Sequence, residues 1–404
     1  MTKVAIIGAG AAGLTAAIAT MKKGVEIHLF DKNKKVGKKL SVTGNGRCNY
    51  WNENQELKNY HTNSNTSLEN FITLSDEKEV EYFFQKLGVV PRIKNGYYYP
   101  YSNQAESIRR ILEEKVKSEN AILHMEEEVE KVDPKDQGFI ITTSKEKYYF
   151  DYCIIATGSI ASLKEKENKG LIWAQKLNHK VIDITPSLVQ VKVDFPYLKD
   201  WQGVRSEVEV SLLEDNIKIK KEHGEIQLTK DGVSGICIFN LSRDIARGLK
   251  KKKEEIISIN FLPFVDNTTW LEERMKLLPE EKVEYFLESI IPNKLILVLL
   301  KYTQINKDKK VKELSKEEIS KLKKTLTSLN VKATETLDTT KAQVCSGGVS
   351  LEDLKENMES KKINHLYFIG EVVDVDGDCG GYNLGFAWRS GLRAGKSIRG
   401  EVSD

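Results

Sequence analysis

Apolar runs alternate with helical repeats along this chain in a way that predicts an α/β protein. Val4 to Ile7 form a short apolar run, as a buried parallel strand does. Leu14 to Met21 continue as an alanine-rich helix, and Val25 to Phe30 form a second apolar run ending at Asp31. Val80, Phe83, Phe84 and Leu87 recur at helical spacing and predict a helix from Glu77 to Leu87. Tyr97 to Tyr99 read as a strand edge, and Ala105 to Lys117 as an amphipathic helix. Ala121 to Met125 and Glu128 to Val132 read as strands. Phe139 to Thr143 with Lys147 to Tyr149 suggest a hairpin, and Asp151 to Ala156 a further apolar strand.

The pattern then changes. From Ser187 to Phe264 short alternating pieces predict a small β-barrel or sandwich. From Trp270 to Leu329 the text is helical. Pro292 suits a first turn, and Ser315-x-x-Glu318 is a capping box. Strand text returns after Val331, and Leu366 to Gly370 reads as buried strand. The expected fold is a three-layer Rossmann domain with a parallel central sheet, spanning 1–188 and 335–404. A β-barrel-like segment, 189–265, and a helical segment, 266–334, interrupt it.

Composition narrows the class. A length of 404 residues suits about two or three domains. The net charge of +3 provides no global field for nucleic acid or membrane. The basic runs Lys250 to Lys253 and Lys307 to Lys312 read as solvated helix faces. The five cysteines lie far apart with no C-x-x-C, which argues against a zinc ribbon or a redox disulfide and fits a reducing cytoplasm. The histidines show no metal-ligand spacing, so no metal is expected; His179 and His365 read as structural. No run approaches the ~20 apolar residues of a membrane span.

The first chemistry sits between the first two strands. Gly8-x-Gly10-x-x-Gly13 opens the helix, with Ala11 and Ala12 inside it, and Asp31 follows 18 residues after Gly13. Gly8 permits the tight turn, Gly10 the approach of a pyrophosphate, and Gly13 close helix packing. The helix N-terminus favours the anion, and Asp31 is placed to accept from ribose hydroxyls. Three further segments narrow the ligand to FAD. Cys153 to Gly158 ends a strand in Ala156-Thr157-Gly158, small residues that allow a second approach. In 368–391, Gly370 and Glu371 follow a strand, where an acid would hold the ribityl chain. Gly380, Gly381, Tyr382 and Asn383 then open a helix aimed at the flavin pyrimidine. In 35–49 a glycine-rich loop can run alongside the isoalloxazine, with Arg47 and Asn49 as hydrogen-bonding groups. Cys48 and Cys379 fall near the flavin, either as reactive thiols or as small residues packed in tight loops. Tyr97 to Tyr99 either line a substrate pocket or pack as a strand edge.

These segments resemble the NAD(P)/FAD-dependent oxidoreductase family that includes the BaiN-type reductases, also known as aminoacetone-oxidase flavoproteins. The matching text is GAGAAG (8–13), GKKLSVTGNGRCN (37–49), YPYSNQA (99–105), ATGS (156–159), DGVSGICIFNLSR (231–243), CSGGVSLEDL (345–354) and GEVVDVDGDCGGYNLGFAWRSG (370–391). The resemblance implies one FAD-type Rossmann domain interrupted by a β-barrel and a helical subdomain. It extends the cofactor set to Lys32, Lys39, Leu40, Thr43, Gly44, Asn45, Gly46, Val129, Asp378 and Leu384. Arg47 and Asn49 are the candidates for catalysis. The chain departs from the family at Ser159, where a second glycine is usual, in the glycine-poor loop up to Gly170, and at Ile236-Cys237, where proline is usual.

The expected function is FAD-dependent oxidoreduction of a small molecule, most simply reduction of an activated C=C bond with NADH or NADPH as a transient co-substrate. With only one GxGxxG, the nicotinamide must visit the substrate cleft and leave. Substrate is expected where residues 43–49, the tyrosines 97–99 and the inserted segments meet. Oxidation of an amine or amino ketone by dioxygen is the alternative. Flavin-dependent RNA modification is another, which the near-zero net charge argues against, and a non-catalytic flavin scaffold is a third.

Overall fold

The computed structural model describes residues 1–118, 121–163, 167–265 and 269–402. Residues 164–166 of the divergent loop and 266–268 at the start of the helical text lie outside the described residues. The chain divides into two compact units, Met1–Ile184 with Val344–Asp404, and Thr185–Gln343.

The first unit is built on a five-stranded parallel sheet. Its order is Leu366–Phe368, Tyr152–Ile155, Thr2–Ile7, Val25–Asp31, Ile122–Met125. The apolar runs become strands because both faces are covered. Val4, Ala5 and Ile6 are fully buried, as are Cys153, Ile154 and Ile155 on the neighbouring strand. Helix Ala11–Thr20 packs beside the C-terminal helix Tyr382–Glu401. Small residues let the two backbones approach. A Cβ on Gly391 would lie 2.7 Å from the Ala12 carbonyl, and one on Gly395 2.6 Å from Ala19 Cβ. Two antiparallel sheets flank this layer: Lys147–Phe150, Gly138–Thr143, Val129–Lys135, and Trp51–Asn52, Tyr97–Pro100, Pro91–Lys94. The tyrosine strand is therefore the middle of three, not an edge. Its second partner, Trp51–Asn52, comes from far upstream, and the edge is Pro91–Lys94.

The second unit is a closed six-stranded barrel in the order Val191–Asp194, Gly232–Gly235, Ile217–Leu228, Arg205–Glu214, Glu255–Asn260, Leu329–Thr336. The alternating text ends at Phe264, yet the strand that closes the barrel follows the helical stretch. A 15-residue helix, Ile236–Lys250, interrupts what read as continuous β text. It buries Cys237, Ile238, Leu241 and Ile245 against the barrel strands, a helical spacing hidden behind β-branched residues. Helices Thr269–Leu277, Val283–Leu287, Asn293–Thr303 and Lys316–Thr327 complete this core, the last opened by the Ser315–Glu318 capping box. Pro292 stands just before its helix, at the cap. No helix among the described residues is long and apolar enough to cross a membrane.

Candidate cofactor cradle and active site

The parallel strand Thr2–Ile7 delivers the chain into Gly8, and Gly10 caps the following helix. The spacing is enforced by contact. A Cβ on Gly13 would come within 1.9 Å of the Gly8 carbonyl oxygen, and one on Gly8 within 2.3 Å of the Ala156 oxygen. Gly10, by contrast, has nothing within 4 Å of its Cβ position, so the backbone there is open to a ligand. Ala11 and Ala12 put free N–H groups in the first helical turn. Asp31 ends the second strand beside this loop. Its Oδ2 accepts the Ala9 N–H at 2.9 Å, and its Oδ1 accepts the Asn33 N–H at 2.8 Å. Lys32 beside it is exposed. Glu127 N–H donates to the Asp31 carbonyl at 3.1 Å, and buried Val129 follows two residues on.

Ala156 leaves its strand with its N–H on the Ile7 carbonyl at 2.8 Å. Asn168 folds the next loop back, donating to the Gly158 carbonyl at 2.5 Å and accepting from the Thr157 hydroxyl at 3.0 Å. Ser159 is buried. Its hydroxyl accepts the Ala161 N–H at 3.2 Å. A local contact thus holds the Ser159 hydroxyl.

The other end of the cradle is assembled from residues far apart in sequence. Lys39 donates to Glu371 Oε2 at 2.8 Å across 332 positions, and the Cys345 N–H lies 3.4 Å from Glu371 Oε1. Gly370, next to Glu371, is buried. Leu40 is buried, and the Thr43 hydroxyl donates to its carbonyl at 2.7 Å. Gly44, Asn45 and Gly46 then take three consecutive left-handed conformations, with φ of 55°, 54° and 79°. This turn holds Gly44 through Arg47 out in solvent. Cys48 drops back into the core at 0% exposure. Burial pushes its thiol up to about 12, and that of Cys379 up to about 11. In both, burial favours the neutral thiol over the thiolate.

Asn49 Oδ1 is buried without a hydrogen-bond partner, 3.1 Å from where a Cβ on Gly381 would stand. Gly381, at φ 96°, caps the C-terminal helix. Tyr382 opens that helix and packs edge-on against Tyr60 at 5.6 Å, and Leu384 is half-buried. The Asn383 amide is committed to the preceding loop: its Oδ1 accepts the Gly377 N–H at 2.9 Å and its Nδ2 donates to the Gly377 carbonyl at 2.8 Å. Asp378 is held by His61 Nε2 at 2.9 Å and Asn59 Nδ2 at 3.4 Å. Neither His61 nor Asn59 stands out in the sequence; they reach the site because Tyr60–His61 pairs with Asp376–Gly377. The Tyr97 ring lies over Gly380, where an added Cβ would be 2.6 Å from Tyr97 Cε1. Burial raises the Tyr99 phenol, Cys379 adds to this, and the Arg47 charge opposes it, which puts Arg47, Tyr99 and Cys379 in one neighbourhood.

A profile described as the HI0933-like protein Rossmann domain matches residues 2–397. The chain belongs to the HI0933-like family. It is 33% identical to a 3-dehydro-bile acid delta(4,6)-reductase of Clostridium scindens, over 98% of this chain and 99% of that protein. It is 28% identical to a ribosomal RNA dihydrouridine synthase of Escherichia coli, over 95% of each. A solved 3-ketosteroid delta1-dehydrogenase of Sterolibacterium denitrificans aligns over 100% of both chains at 10% identity and a TM-score of 0.49, too distant to build on.

Family membership makes the protein an FAD-dependent oxidoreductase. The cradle fits FAD on its own geometry. It offers a bare backbone at Gly10, an acid beside it at Asp31, and a helix N-terminus at Gly381 next to an unpartnered buried acceptor on Asn49. Among the described residues no cluster of His, Cys, Asp or Glu could hold a metal ion.

Proposed function

We propose that this protein is an NAD(P)H-linked reductase of a C=C bond conjugated to a carbonyl in a small organic substrate. The observation that carries this reading is a bond type shared by two full-length relatives. One is named for reducing the unsaturation of a 3-dehydro-bile acid, the other for making dihydrouridine. Dienone and uracil differ in size and polarity, but both present a C=C polarised by a neighbouring carbonyl. A common catalytic centre serving both is simplest if that bond is what it acts on.

Bound FAD supplies the hydride chemistry. The chain's own residues hold and bias it. In this reading Asp31 accepts from ribose hydroxyls, and the open N–H groups after Gly10 receive the pyrophosphate. Glu371, oriented by Lys39, accepts from the ribityl chain. Asn49 and the helix N-terminus at Gly381 and Tyr382 face the ring, where the helix favours negative charge. Exposed Arg47 stabilises an oxyanion developing on the substrate carbonyl.

The test is anaerobic reduction with NADH and with NADPH, followed by a panel of enones or by air. Bleaching by a nicotinamide and recolouring by an enone support the reading. Recolouring by air within seconds with peroxide release would replace it with the amine or amino-ketone oxidase. A second reading, reduction of a uracil base in RNA, is favoured by the relatives named as ribosomal RNA dihydrouridine synthases. Recolouring by an rRNA fragment but by no free enone, with steep salt dependence, would select it.

A further inference from the structure

The flanking sheet Trp51–Asn52, Tyr97–Pro100, Pro91–Lys94 has two chemically different faces. In an antiparallel pair, residues directly opposite share a face, and neighbours along a strand alternate. Arg92 stands opposite Tyr99, and Lys94 opposite Tyr97. These four residues therefore share one face. It is the face turned to the C-terminal helix's opening loop, because the Tyr97 ring lies over Gly380 and Asn52 Nδ2 donates to the Gly380 carbonyl at 3.0 Å. Tyr98 points the other way, edge-on to Tyr50 at 6.1 Å, and the acids Glu53 and Glu81 act on that side.

The charge on the first face is unbalanced. Arg92 and Lys94 are exposed, and Arg47 joins them beside Tyr99. Many lysines and arginines of this protein have a carboxylate within ion-pair distance. Among the described residues none of these three has one, nor any other recorded partner that would neutralise it. Three unopposed cations around two half-buried tyrosines, at the mouth of the ring end of the cradle, form a ready anion receptor.

We propose that Arg92 and Lys94, with Tyr97 and Tyr99 as the floor, bind an anionic group, carboxylate or phosphate, on the molecule that approaches the flavin. This rests on the reductase reading and deepens it, since it says the reacting molecule carries a negative charge away from the reacting bond. The charge has two possible bearers, the substrate itself or the visiting nicotinamide dinucleotide.

The experiment uses FAD-loaded full-length protein and the double variants R92A/K94A and R92Q/K94Q, with flavin content and thermal midpoint as folding controls. The probes are a 3-oxo-4-ene steroid with a side-chain carboxylate, its methyl ester, and NADH. Affinities for the steroids are read from perturbation of the flavin spectrum, which needs no turnover; that for NADH is read from the half-saturation of flavin bleaching. The expected result is a loss of about fivefold or more for one anionic probe, the size of a partly exposed charge contact. Loss for the acid but not the ester assigns the anion to the substrate. Loss for NADH alone assigns it to the nucleotide. Equal loss for acid and ester, or no loss for any probe, overturns the proposal. If the ester is bound but never reduced, it is the reductase reading that fails, and the affinity comparison still decides this one.

Discussion

Asn49 and Glu255 both carry buried oxygens with no hydrogen-bond partner, one in each unit, and they mean opposite things. Asn49 follows an exposed turn, Gly44 to Arg47, and the buried Cys48, and lies beside a helix cap made of glycine. The space next to its Oδ1 is kept free of side chain at Gly381, and cations nearby lack counter-ions. Glu255 is walled in. It is 0% exposed, and a Cβ on Gly248 would stand 1.6 Å from its Oε1. Its cross-strand neighbour is another acid, Glu214. Arg389 is a third case. Its guanidinium has no hydrogen-bond partner, yet it lies 3.7 Å from Glu77 Oε1 and is covered by the Trp51 and Tyr60 rings at 5.2 and 5.5 Å. An orphaned polar atom points to a ligand only where the fold also leaves room and unspent charge beside it.

The largest expected effect breaks the room on the cofactor side. Gly13→Ala places a methyl 1.9 Å from the Gly8 carbonyl, a backbone atom that can move only by displacing the fingerprint loop. Purified variant should be colourless or nearly so, while the barrel unit keeps its own core. Flavin absorbance per polypeptide is the measurement. Full FAD occupancy would show that close packing at Gly13 is not what shapes the cradle.

That prediction was legible in the sequence, because a strand, a glycine turn and a helix are local. The same holds for the parallel strands, whose apolar runs are buried on both faces. What depends on partners far along the chain was not. The Lys39–Glu371 pair spans 332 positions. The tyrosine strand looked like an edge because its second partner lies some 45 positions upstream, at Trp51–Asn52. The barrel-closing strand Leu329–Thr336 is separated from its neighbour Glu255–Asn260 by the helical stretch Thr269 to Thr327. Helix Ile236–Lys250 was missed for a different reason: its first turn is Ile-Cys-Ile-Phe, strong β text, and tertiary burial decided against propensity. At the site, the fingerprint and glycine turns were readable, whereas His61, Asn59 and the unpaired state of Arg92 and Lys94 needed sheet register and packing.

Asp31→Ala sharpens the comparison at the adenosine end. In the structure Asp31 already serves the Ala9 and Asn33 N–H groups, so the variant loses the loop's anchor as well as the acceptor for ribose. Loss of a charge-assisted hydrogen bond, about 1.5–3 kcal/mol, should weaken FAD binding by roughly tenfold or more. Flavin release during dilution followed by fluorescence would check it; an unchanged dissociation constant would leave Asp31 a loop residue only. Arg47→Ala acts at the ring end and should do the reverse. Exposed on its left-handed turn, Arg47 supports no core, so FAD content should stay near the parent's. Stopped-flow reoxidation by an enone should slow several-fold. Unaltered rates would leave Arg47 with no part in the chemistry, and loss of flavin would make it structural.

The smallest effect belongs to Glu255, and it is one of pH. Burial pushes this carboxyl up to about 8, and the neighbouring Glu214 charge adds to the push. Lys253 opposes it but is hydrogen-bonded to Glu214. The folded state therefore keeps a proton that the unfolded chain, with its ordinary value of 4.5, has released. Between those two values the folded state binds more protons, so stability contributed by this site falls as pH rises and levels off once the folded carboxyl ionises too. Glu255→Gln keeps the shape and an N–H donor toward Glu214 but cannot ionise. Parent and variant should melt together near pH 5, and the variant should melt a few degrees higher near pH 8. The difference between the two melting curves isolates Glu255 from every other titrating group. If that difference is flat from pH 5 to pH 8, the buried carboxyl is not holding a proton, and a walled-in acid would have to be read as charged, with a partner or a water beside it.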